Sequence, residues 1–304
     1  MAFTAADVKT LREMTGVGMM DCKKALAASD GDMDKAVEFL REKGLAASAK
    51  KAGRIAAEGM AYAAVIDGMG VVVEVNAETD FVGKNEKFVD FVKGVAATVA
   101  ANKPADLDAL MECKYNGTDL TVLQQQQEMV LVIGENIKVR RFFVFEDGVS
   151  VPYIHAGDKI GVLVNLEVSE GIDATEIGKD VAMQIAALNP RFWDKSQVTE
   201  DVLAEEKKIM MVQMANDPKM ANKPEQVREK IVMGKLNKFY SENCLLQQEF
   251  VKDNQFTVEK YIASAAKALG GTVTFKSAVR FEKGEGIEKK QENFADEIAK
   301  MVNG

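Results

Sequence analysis

The sequence predicts an α+β protein with a duplicated core and antiparallel sheets, and three observations carry this prediction. Residues 1–45 show helical periodicity, the chain then changes to the alternation typical of strands, and a similar strand, strand, helix order occurs twice. In addition, a chain of 304 residues exceeds the roughly 250 to 300 residues that one hydrophobic core usually fills. We therefore expect more than one packed unit.

The net charge and the cysteine content exclude several classes of protein. With 39 basic and 47 acidic side chains the net charge is −8, which argues against direct binding to nucleic acid backbones. No run of about 18 apolar residues is present to cross a membrane and the first residues lack the layout of a signal peptide, so we expect a cytoplasmic protein. Cys22, Cys113 and Cys244 are too scattered for a disulfide framework, and we expect reduced thiols.

The N-terminal segment is predicted to begin with two short helices. Thr4 is a suitable N-cap for the first helix, because its hydroxyl can accept a hydrogen bond from a free backbone amide of the first turn. Gly16 and Gly18 then interrupt the helical pattern before a second helix over residues 19–28.

A third helix is expected over residues 33–43, with Asp32 as its N-cap and Gly44 as its end. The three helices would make a small bundle over residues 1–45. The basic stretch that follows is typical of a solvated connector, and we assign residues 46–57 to a linker.

Strand patterns surround a tight turn at the start of the core. Residues 60–66 and 70–76 have the pattern of strands, with a period of two residues. Asp67 and Gly68 between them suit a two-residue hairpin turn. An amphipathic helix follows, and its inward positions are Phe88, Phe91, Val92, Val95 and Val99.

A further helix over residues 119–132 and a strand over residues 137–145 complete this first half of the core. The order is that of a ββαβ-like unit with its helices on one face of the sheet. We assign residues 58–148 to this N-terminal subdomain of the core.

The same order of elements returns later in the chain. Tyr62 and Gly70 match Tyr153 and Gly161 at a single offset of 91 residues. The segment VFEDG at residues 144–148 also resembles RFEKG at 280–284, which would close the second copy with a strand.

The second copy is predicted to carry its own capped helix and an insertion. Asp173, with Glu176 three residues later, suits a capping box at the start of that helix. We assign residues 149–198 and 243–284 to this C-terminal subdomain of the core, and residues 199–242 to the insertion.

The insertion is predicted to be an antiparallel helical hairpin of the coiled-coil type. Two charged, methionine-rich helices over residues 199–215 and 224–240 are joined by a turn with two prolines. A narrow apolar seam would join them, formed by Ile209, Val212, Val227 and Ile231. The pattern leaves open whether the hairpin packs on its own core, on a partner or on a second copy, which would give a homodimer. Residues 285–304 would form a C-terminal module with a short helix over 293–301.

The sequence shows no recognisable arrangement of nucleophile and base or of metal ligands. His155 is the single histidine, so a Ser-His-Asp arrangement has little support, and a polar strand residue is the simpler interpretation. No glycine-rich phosphate loop occurs. The calcium-loop-like start at Asp30 is contradicted by Lys35 and Arg41, which stand where such a loop needs glycine and glutamate. We expect no metal, no cofactor and no bond chemistry.

The turn Thr79, Asp80, Phe81, Val82, which follows the second strand, allows two interpretations. In the first, Thr79 or Asp80 caps the next helix and Phe81 joins its apolar face, seven residues before Phe88. In the second, Phe81 projects from the start of the helix as an aromatic anchor for a partner's pocket, with a carboxylate beside it. The pattern alone favours the first.

Two long segments of this sequence resemble the signature segments of the bacterial translation elongation factor Ts family. They are LREMTGVGMMDCKKAL at residues 11–26 and EVNAETDFV at 74–82. The segments IGENIKVRR at 133–141 and FEKGEGI at 281–287 are also similar to that family, as is the inserted hairpin. The resemblance runs from about residue 4 to the C-terminus.

The resemblance implies a guanine nucleotide exchange factor for elongation factor Tu, the GTPase that delivers aminoacyl-tRNA. It also implies that the N-terminal bundle is ubiquitin-associated-like. In the family, the turn of Thr79, Asp80, Phe81 and Val82 approaches the GTPase beside its magnesium site, and disturbing that site weakens the grip on GDP.

Other partner contacts follow from the same resemblance. The residues concerned are Met19, Met20, Lys23, Gly134, Glu135, Asn136 and His155. For the three consecutive residues beginning at Gly134, the sequence does not separate packing from contact. Gly83 stands where alanine is usual in the family and would loosen the first helical turn by up to about 1 kcal/mol.

A competing hypothesis belongs to a different functional class. The chain would then be a scaffold or adaptor whose N-terminal bundle binds peptides, with a core that only assembles subunits. The two hypotheses differ at Asp80 and Phe81, which are critical only for nucleotide exchange.

Overall fold

The computed structural model describes residues 3–217 and 224–288 of the chain. Helices and antiparallel strands mix along this part of the sequence, which confirms the predicted α+β class. The helix predicted over residues 293–301 lies outside the described residues. Within the described ranges, every helix is too short or too polar to cross a membrane.

The contacts divide the chain into two compact units. Within the described residues, the first unit contains residues 3–144, 154–161 and 281–288, and the second contains residues 145–153 and 162–280 with its gap. The domain boundaries proposed from the sequence are finer than this division and stay a prediction.

The three N-terminal helices form, and each begins at the predicted residue except the first, whose predicted N-cap is confirmed. Helix α1, Ala5–Thr15, begins at a capping box in which Thr4 and Asp7 each accept the other's backbone amide. Helix α2 is Met19–Ala28, and α3 is Met33–Lys51 with Asp32 as its N-cap. Their shared core is formed by Val8, Leu11, Val17, Cys22, Ala25, Leu26, Ala36 and Leu40.

The predicted end of the third helix at Gly44 is wrong. Helix α3 continues to Lys51, so the first part of the expected linker is helical. Gly44 lies in close contact with a neighbouring helix: a Cβ at this position would be 3.3 Å from the carbonyl oxygen of Gln127. The glycine therefore serves helix packing instead of helix termination.

The first sheet has the order β1, β2, β3. Strands β1, Glu58–Ile66, and β2, Met69–Ala77, pair antiparallel around the predicted turn, where Asp67 and Gly68 have φ of 49° and 81°. Positive φ at both central residues matches the twist of the strands, which is why this dipeptide suits the position. Strand β3 is Lys138–Phe145.

Three helices accompany this sheet. Helix α4 is Glu86–Asn102, α5 is Leu107–Glu112, which the sequence interpretation missed, and α6 is Val122–Ile133, with Thr121 as its N-cap. The predicted inward face of α4 is confirmed, since Phe88, Phe91, Val92, Val95 and Val99 are buried with valines of β2.

A second three-stranded sheet has the order β4, β5, β8, in which β8 is Val273–Glu282. Its first two strands are β4, Val149–His155, and β5, Ile160–Val168, and helix α7, Thr175–Leu188, follows them. The capping box expected from Asp173 and Glu176 does not form: Ala174 is the N-cap residue of α7, and the Asp173 carboxylate accepts hydrogen bonds from the amide and hydroxyl of Thr175.

The insertion contains the two predicted helices, and they contact each other. They are α8, Glu200–Asn216, and α9, Glu225–Asn243. The strands β6, Glu249–Phe250, and β7, Asp253–Thr257, then lead to helix α10, Val258–Ala268, and to strand β8, Val273–Glu282.

The predicted seam of this hairpin is largely wrong. Ile209, Val212 and Val227 are exposed, and of the four predicted residues only Ile231 packs against a buried cluster. One buried cluster consists of Met214, Val232 and Leu236, with Met210, Met211 and Leu203 beside them. Methionine side chains are long and unbranched, so they fill an irregular seam that a search for β-branched residues does not find.

Candidate functional site

Between β2 and α4 the chain forms a separate 3₁₀ turn, which the sequence pattern had treated as the start of the helix. Phe81 precedes a short 3₁₀ turn, Val82–Lys84, and Asn85 then caps α4 by accepting a hydrogen bond from the backbone amide of Lys87. The expectation that Thr79 or Asp80 caps this helix is therefore wrong. Because the 3₁₀ turn intervenes, Phe81 is not part of the helix.

Of the four consecutive residues of the predicted site, 79–82, three are exposed and one is buried. The Phe81 side chain is 81% exposed, and Thr79 and Asp80 are also exposed. Val82 is buried in the core cluster that contains Phe88. The interpretation that placed Phe81 on the apolar face of α4 is thus wrong, and Val82 is the residue that anchors the turn from inside.

Glu135 holds this turn from the loop after α6. Its Oε2 accepts hydrogen bonds from the backbone amides of Glu78 and Thr79, both at 3.0 Å, and its Oε1 accepts one from the Thr79 hydroxyl at 2.7 Å. Hydrogen bonds to a carboxylate are stronger than neutral ones. The sequence interpretation had placed Glu135 among partner contacts, whereas here it binds the turn itself.

Glu78, in the turn, in return binds the backbone of the loop that carries Glu135. Its Oε1 accepts a hydrogen bond from the backbone amide of Asn136 at 2.6 Å, and the Arg54 guanidinium lies 3.4 Å from the same oxygen. The buried Asn136 side chain donates to the backbone oxygen of Arg54 at 2.8 Å. Neither Glu78 nor Arg54 was singled out in the sequence, because their partners lie far away along the chain.

Gly134 ends α6 with φ of 86°, a conformation that favours glycine. Its carbonyl oxygen accepts a hydrogen bond from the Lys51 ammonium at 2.6 Å. Burial, together with the nearby Arg54 charge, lowers the pKa of Lys51 below the ordinary lysine value. The last residue of α3 is therefore tied to the loop that carries Glu135.

The buried Glu74 of β2 organises a second group beside the turn. Its carboxylate accepts from the guanidinium groups of Arg140 and Arg141, from Asn76 and from the backbone amide of Gly284. The side chain of Glu74 is 0% exposed, so these partners are what makes its burial tolerable. The network fixes the segment after β8 against the first sheet.

A groove lies between the exposed turn and this segment after β8. Its lining residues are mostly charged, and they are Glu58, Glu78, Thr79, Asp80, Phe81, Lys159, Glu282, Lys283, Gly284 and Glu285. Lys159 and Lys283 form ion pairs with Glu282 and Glu58 at 3.1 and 2.8 Å. Within the described part of the chain, the Asp80 carboxylate makes no hydrogen bond or ion pair. Asp80 and Phe81 are therefore both available to another molecule.

The remaining predicted residues lie elsewhere. Met19, Met20 and Lys23 are exposed on α2, and none of the three lines the groove. His155 is half-buried at the end of β4 and does not line the groove either. In residues 3–217 and 224–288, no group of three or more His, Cys, Asp or Glu side chains is arranged to hold a metal ion.

Gly83 has a packing reason that the sequence interpretation missed. It lies in the 3₁₀ turn and not in α4, and a Cβ at this position would be 2.9 Å from the carbonyl oxygen of Gly59. The predicted loosening of the first turn of α4 therefore does not apply, because Gly83 is outside that helix and lets β1 approach the turn closely.

Comparisons with known proteins agree in one result. The family model described as elongation factor TS matches residues 78–285. The chain is 47% identical over 306 residues to elongation factor Ts of Syntrophotalea carbinolica, covering 99% of this chain and 100% of the relative. It is also 47% identical over 307 residues to that of Clostridium kluyveri and 46% over 306 residues to that of Clostridium novyi, each covering 99% of both chains.

Proposed function

The chain belongs to the elongation factor Ts family, and from this premise we propose that it is a guanine nucleotide exchange factor for elongation factor Tu in translation. The factor performs no bond chemistry and needs no cofactor. It binds the GTPase domain of its partner in the cytoplasm and promotes the release of GDP. One observation supports the proposed site most directly: Phe81 is exposed on a turn that Glu135 holds in place.

In this proposal, Asp80 and Phe81 enter the partner beside its magnesium site. The ring offers a rigid apolar surface with few rotatable bonds, and aromatic side chains of this kind often dominate interface energetics. The carboxylate, which has no partner in the described residues, competes for the polar groups that hold the ion. Once Mg²⁺ is displaced, the charge of the GDP phosphates is no longer balanced and GDP leaves.

Thermodynamic linkage restricts how the factor can act. If it weakens GDP binding to the GTPase by some factor, GDP must weaken the binding of the exchange factor to the same extent. Equal affinity for the nucleotide-free and the GDP-bound partner would shift nothing. The proposed site must therefore fit the nucleotide-free state better, and GTP then displaces the exchange factor.

We assign further partner contacts to Met19, Met20 and Lys23 of the bundle. Met19 and Met20 are 50% and 64% exposed, as expected for adaptable contact residues. His155 and Gly134 are kept as weaker candidates. The adaptor hypothesis also uses the bundle, but it assigns no role to Phe81, so substitutions at Phe81 separate the two.

Two further parts of the proposal concern partners. The net charge of −8 supports the absence of direct nucleic acid binding. The exposed Ile209, Val212 and Val227 of the helical hairpin would support self-association through that hairpin. Sedimentation equilibrium of the wild type and of a variant with polar residues at these three positions measures this, and a monomeric wild type contradicts it.

The test is the release of a fluorescent GDP analogue from elongation factor Tu, followed by stopped-flow. The wild type is expected to accelerate release, and Phe81→Ala and Asp80→Ala are each expected to reduce that acceleration about tenfold or more, as for a truncated interface anchor. Leu269→Ala is a matched control, because Leu269 is also an exposed apolar side chain, at 48%, and has no part in the proposed site.

The outcomes are distinct. No acceleration by the wild type refutes the proposed function, and unchanged acceleration by both site variants refutes the proposed site. Thermal unfolding of each variant shows whether a lower rate reflects lost contact or lost fold.

A further inference from the structure

Glu135 uses most of its hydrogen-bonding capacity inside the protein. An ionised carboxylate offers about four acceptor positions, and three of them are taken by the amides of Glu78 and Thr79 and by the Thr79 hydroxyl. These groups belong to the residues directly before Asp80 and Phe81. Little of the Glu135 carboxylate remains to bind another molecule.

The connection between the two loops is reciprocal. Glu135 accepts hydrogen bonds from the backbone amides of Glu78 and Thr79, and Glu78 accepts one from the backbone amide of Asn136, the residue after Glu135. Each loop thus holds the backbone of the other through one carboxylate. The loops are 56 to 58 residues apart in sequence at these bonds, so the contact fixes tertiary position and not merely a local turn.

Burial fixes Val82 but not its neighbour Phe81. Val82 anchors one side through the core, whereas Phe81 is 81% exposed and gains almost no packing in the free protein. An exposed side chain on an unbraced turn would sample many conformations, and ordering them on binding would cost affinity or rate. A brace on the residues before Phe81 removes part of that cost.

We infer that Glu135 is a positioning residue for the exchange site: it holds the backbone and hydroxyl of Thr79, so that Asp80 and Phe81 are presented in the conformation that enters the partner. The inference rests on the proposed function and deepens it. It also moves Glu135 from the contact surface of the partner to the support of the turn.

The first measurement is the maximal rate of fluorescent GDP release from elongation factor Tu at saturating exchange factor. Glu135→Ala is expected to lower it about tenfold, since it removes three hydrogen bonds to a charged group. Glu135→Gln keeps one oxygen that can accept from Thr79 and is expected to restore part of the rate. Equal losses in Glu135→Ala and Glu135→Gln contradict the inference, because a charge contact to the partner would show no such rescue.

The decisive measurement is a double-mutant cycle with Phe81→Ala. If Glu135 acts through the turn, Glu135→Ala has less than about a twofold effect once the ring is absent, so the two losses do not add. If Glu135 contacts the partner directly, its substitution lowers the rate by the same factor in both backgrounds. Additive losses therefore overturn the inference.

Hydrogen exchange of the free protein gives a test without the partner. Glu135→Ala is expected to raise the exchange rates of the Glu78 and Thr79 amides at least about tenfold, while the global melting temperature changes little. Glu176→Ala is the control, since Glu176 also accepts a hydrogen bond, from Lys179, on an exposed helix face. Unchanged protection at Thr79 overturns the inference.

The two proposals fail in different ways. A wild type that does not accelerate GDP release refutes the proposed function, whatever Glu135 does to the turn. A wild type that accelerates release, combined with a normal rate in Glu135→Ala, refutes only the positioning role.

Discussion

The two halves of the core each have a turn between strand and helix at corresponding positions, at the offset of 91 residues that relates Gly70 to Gly161, but the two turns differ in structure. After β2, the turn exposes Phe81. After β5, the equivalent residue is Ile172, which is half-buried. One copy of the repeat leaves its apolar side chain exposed, and the other buries it in part.

The second turn is held by the segment that precedes β8, 103 residues further along the chain. The amide of Ser169 donates to the carbonyl oxygen of Thr272, and the Ser169 hydroxyl accepts from the Thr272 amide, both at 2.9 Å. Gly271 permits the approach, because a Cβ there would lie 2.3 Å from the Ser169 hydroxyl and 3.0 Å from Ile172. In a duplicated core, corresponding turns can therefore either expose or partly bury an apolar side chain, depending on which residues hold the turn.

Buried polar residues show the same divergence. Glu74 of β2 is equivalent to Asn165 of β5 at the same offset, and both are buried. Glu74 binds two arginines and the amide of Gly284, whereas Asn165 donates a single hydrogen bond at 2.7 Å to the carbonyl oxygen of Asp147. The copy that presents Phe81 has the charged network, and the other copy has a neutral bond.

The largest expected effect tests this pair of buried residues. Glu74→Ala leaves Arg140 and Arg141 without their shared acceptor and is expected to lower the free energy of unfolding by about 3 kcal/mol. Asn165→Ala removes a neutral hydrogen bond and should cost about 1 kcal/mol. Urea denaturation measures both, and equal losses would show that the two sites do not differ in kind.

An intermediate effect is expected at the two turns. Ile172→Ala removes half-buried apolar surface and should cost about 1 kcal/mol of unfolding free energy. Phe81→Ala removes an exposed ring and should change it by less than about 0.5 kcal/mol. Urea denaturation of the two variants measures both changes. A larger loss in Phe81→Ala than in Ile172→Ala would mean that the ring packs inside the protein after all.

The smallest effect concerns pH and the N-termini of helices α4 and α7. Hydrogen bonds from the Thr175 hydroxyl and amide hold the pKa of Asp173 below its ordinary value of 3.8. A lowered pKa contributes stability that is present above pH 3.8 and is lost as the pH falls through the lower, folded-state pKa. Asn85 caps α4 with an amide, which does not titrate in this range.

The corresponding measurement is amide protection followed by NMR between about pH 5 and pH 2. The Thr175 amide should lose protection on acidification, while the Lys87 amide at the start of α4 should keep it. In Asp173→Asn, the pH dependence at Thr175 should disappear. Parallel loss at both amides would indicate global acid unfolding, and the proposed difference between the two helix N-termini would then be unsupported.

Local chemistry made much of the fold predictable. The caps Thr4 and Asp32 and the turn at Asp67 and Gly68 depend on neighbouring residues, so their patterns are visible in the sequence. The course of α3 past Gly44 was not predictable in this way. Beyond Gly44, α3 packs on α6, whose Gln127 is distant in sequence and close to Gly44 only in the folded chain.

In the candidate site too, features that depend on residues distant in sequence could not be predicted. Pattern alone favoured a buried Phe81, and the family resemblance was needed to expect it outside. The brace by Glu135 could not be predicted, since hydrogen bonds between loops 56 residues apart leave no periodic signal. In the sequence, Glu135 is only a carboxylate in a segment without a helical or strand pattern, which does not indicate its partners.

The unbroken course of α3 fixes how far the N-terminal bundle lies from the first sheet and its turn. At 1.5 Å per residue, its 19 residues form a rod of about 28 Å. The rod packs on α2 in the bundle and on α6 in the core, and its last residue, Lys51, reaches the loop of Gly134. It therefore holds the bundle at a set distance from the core where a solvated linker was expected. If the core and the bundle bind one partner, as proposed, this distance sets the effective concentration of the bundle once the core has bound. Under the proposed function, in which the methionines of α2 and Phe81 contact the same partner, this distance would have to match the spacing of the two surfaces that they bind.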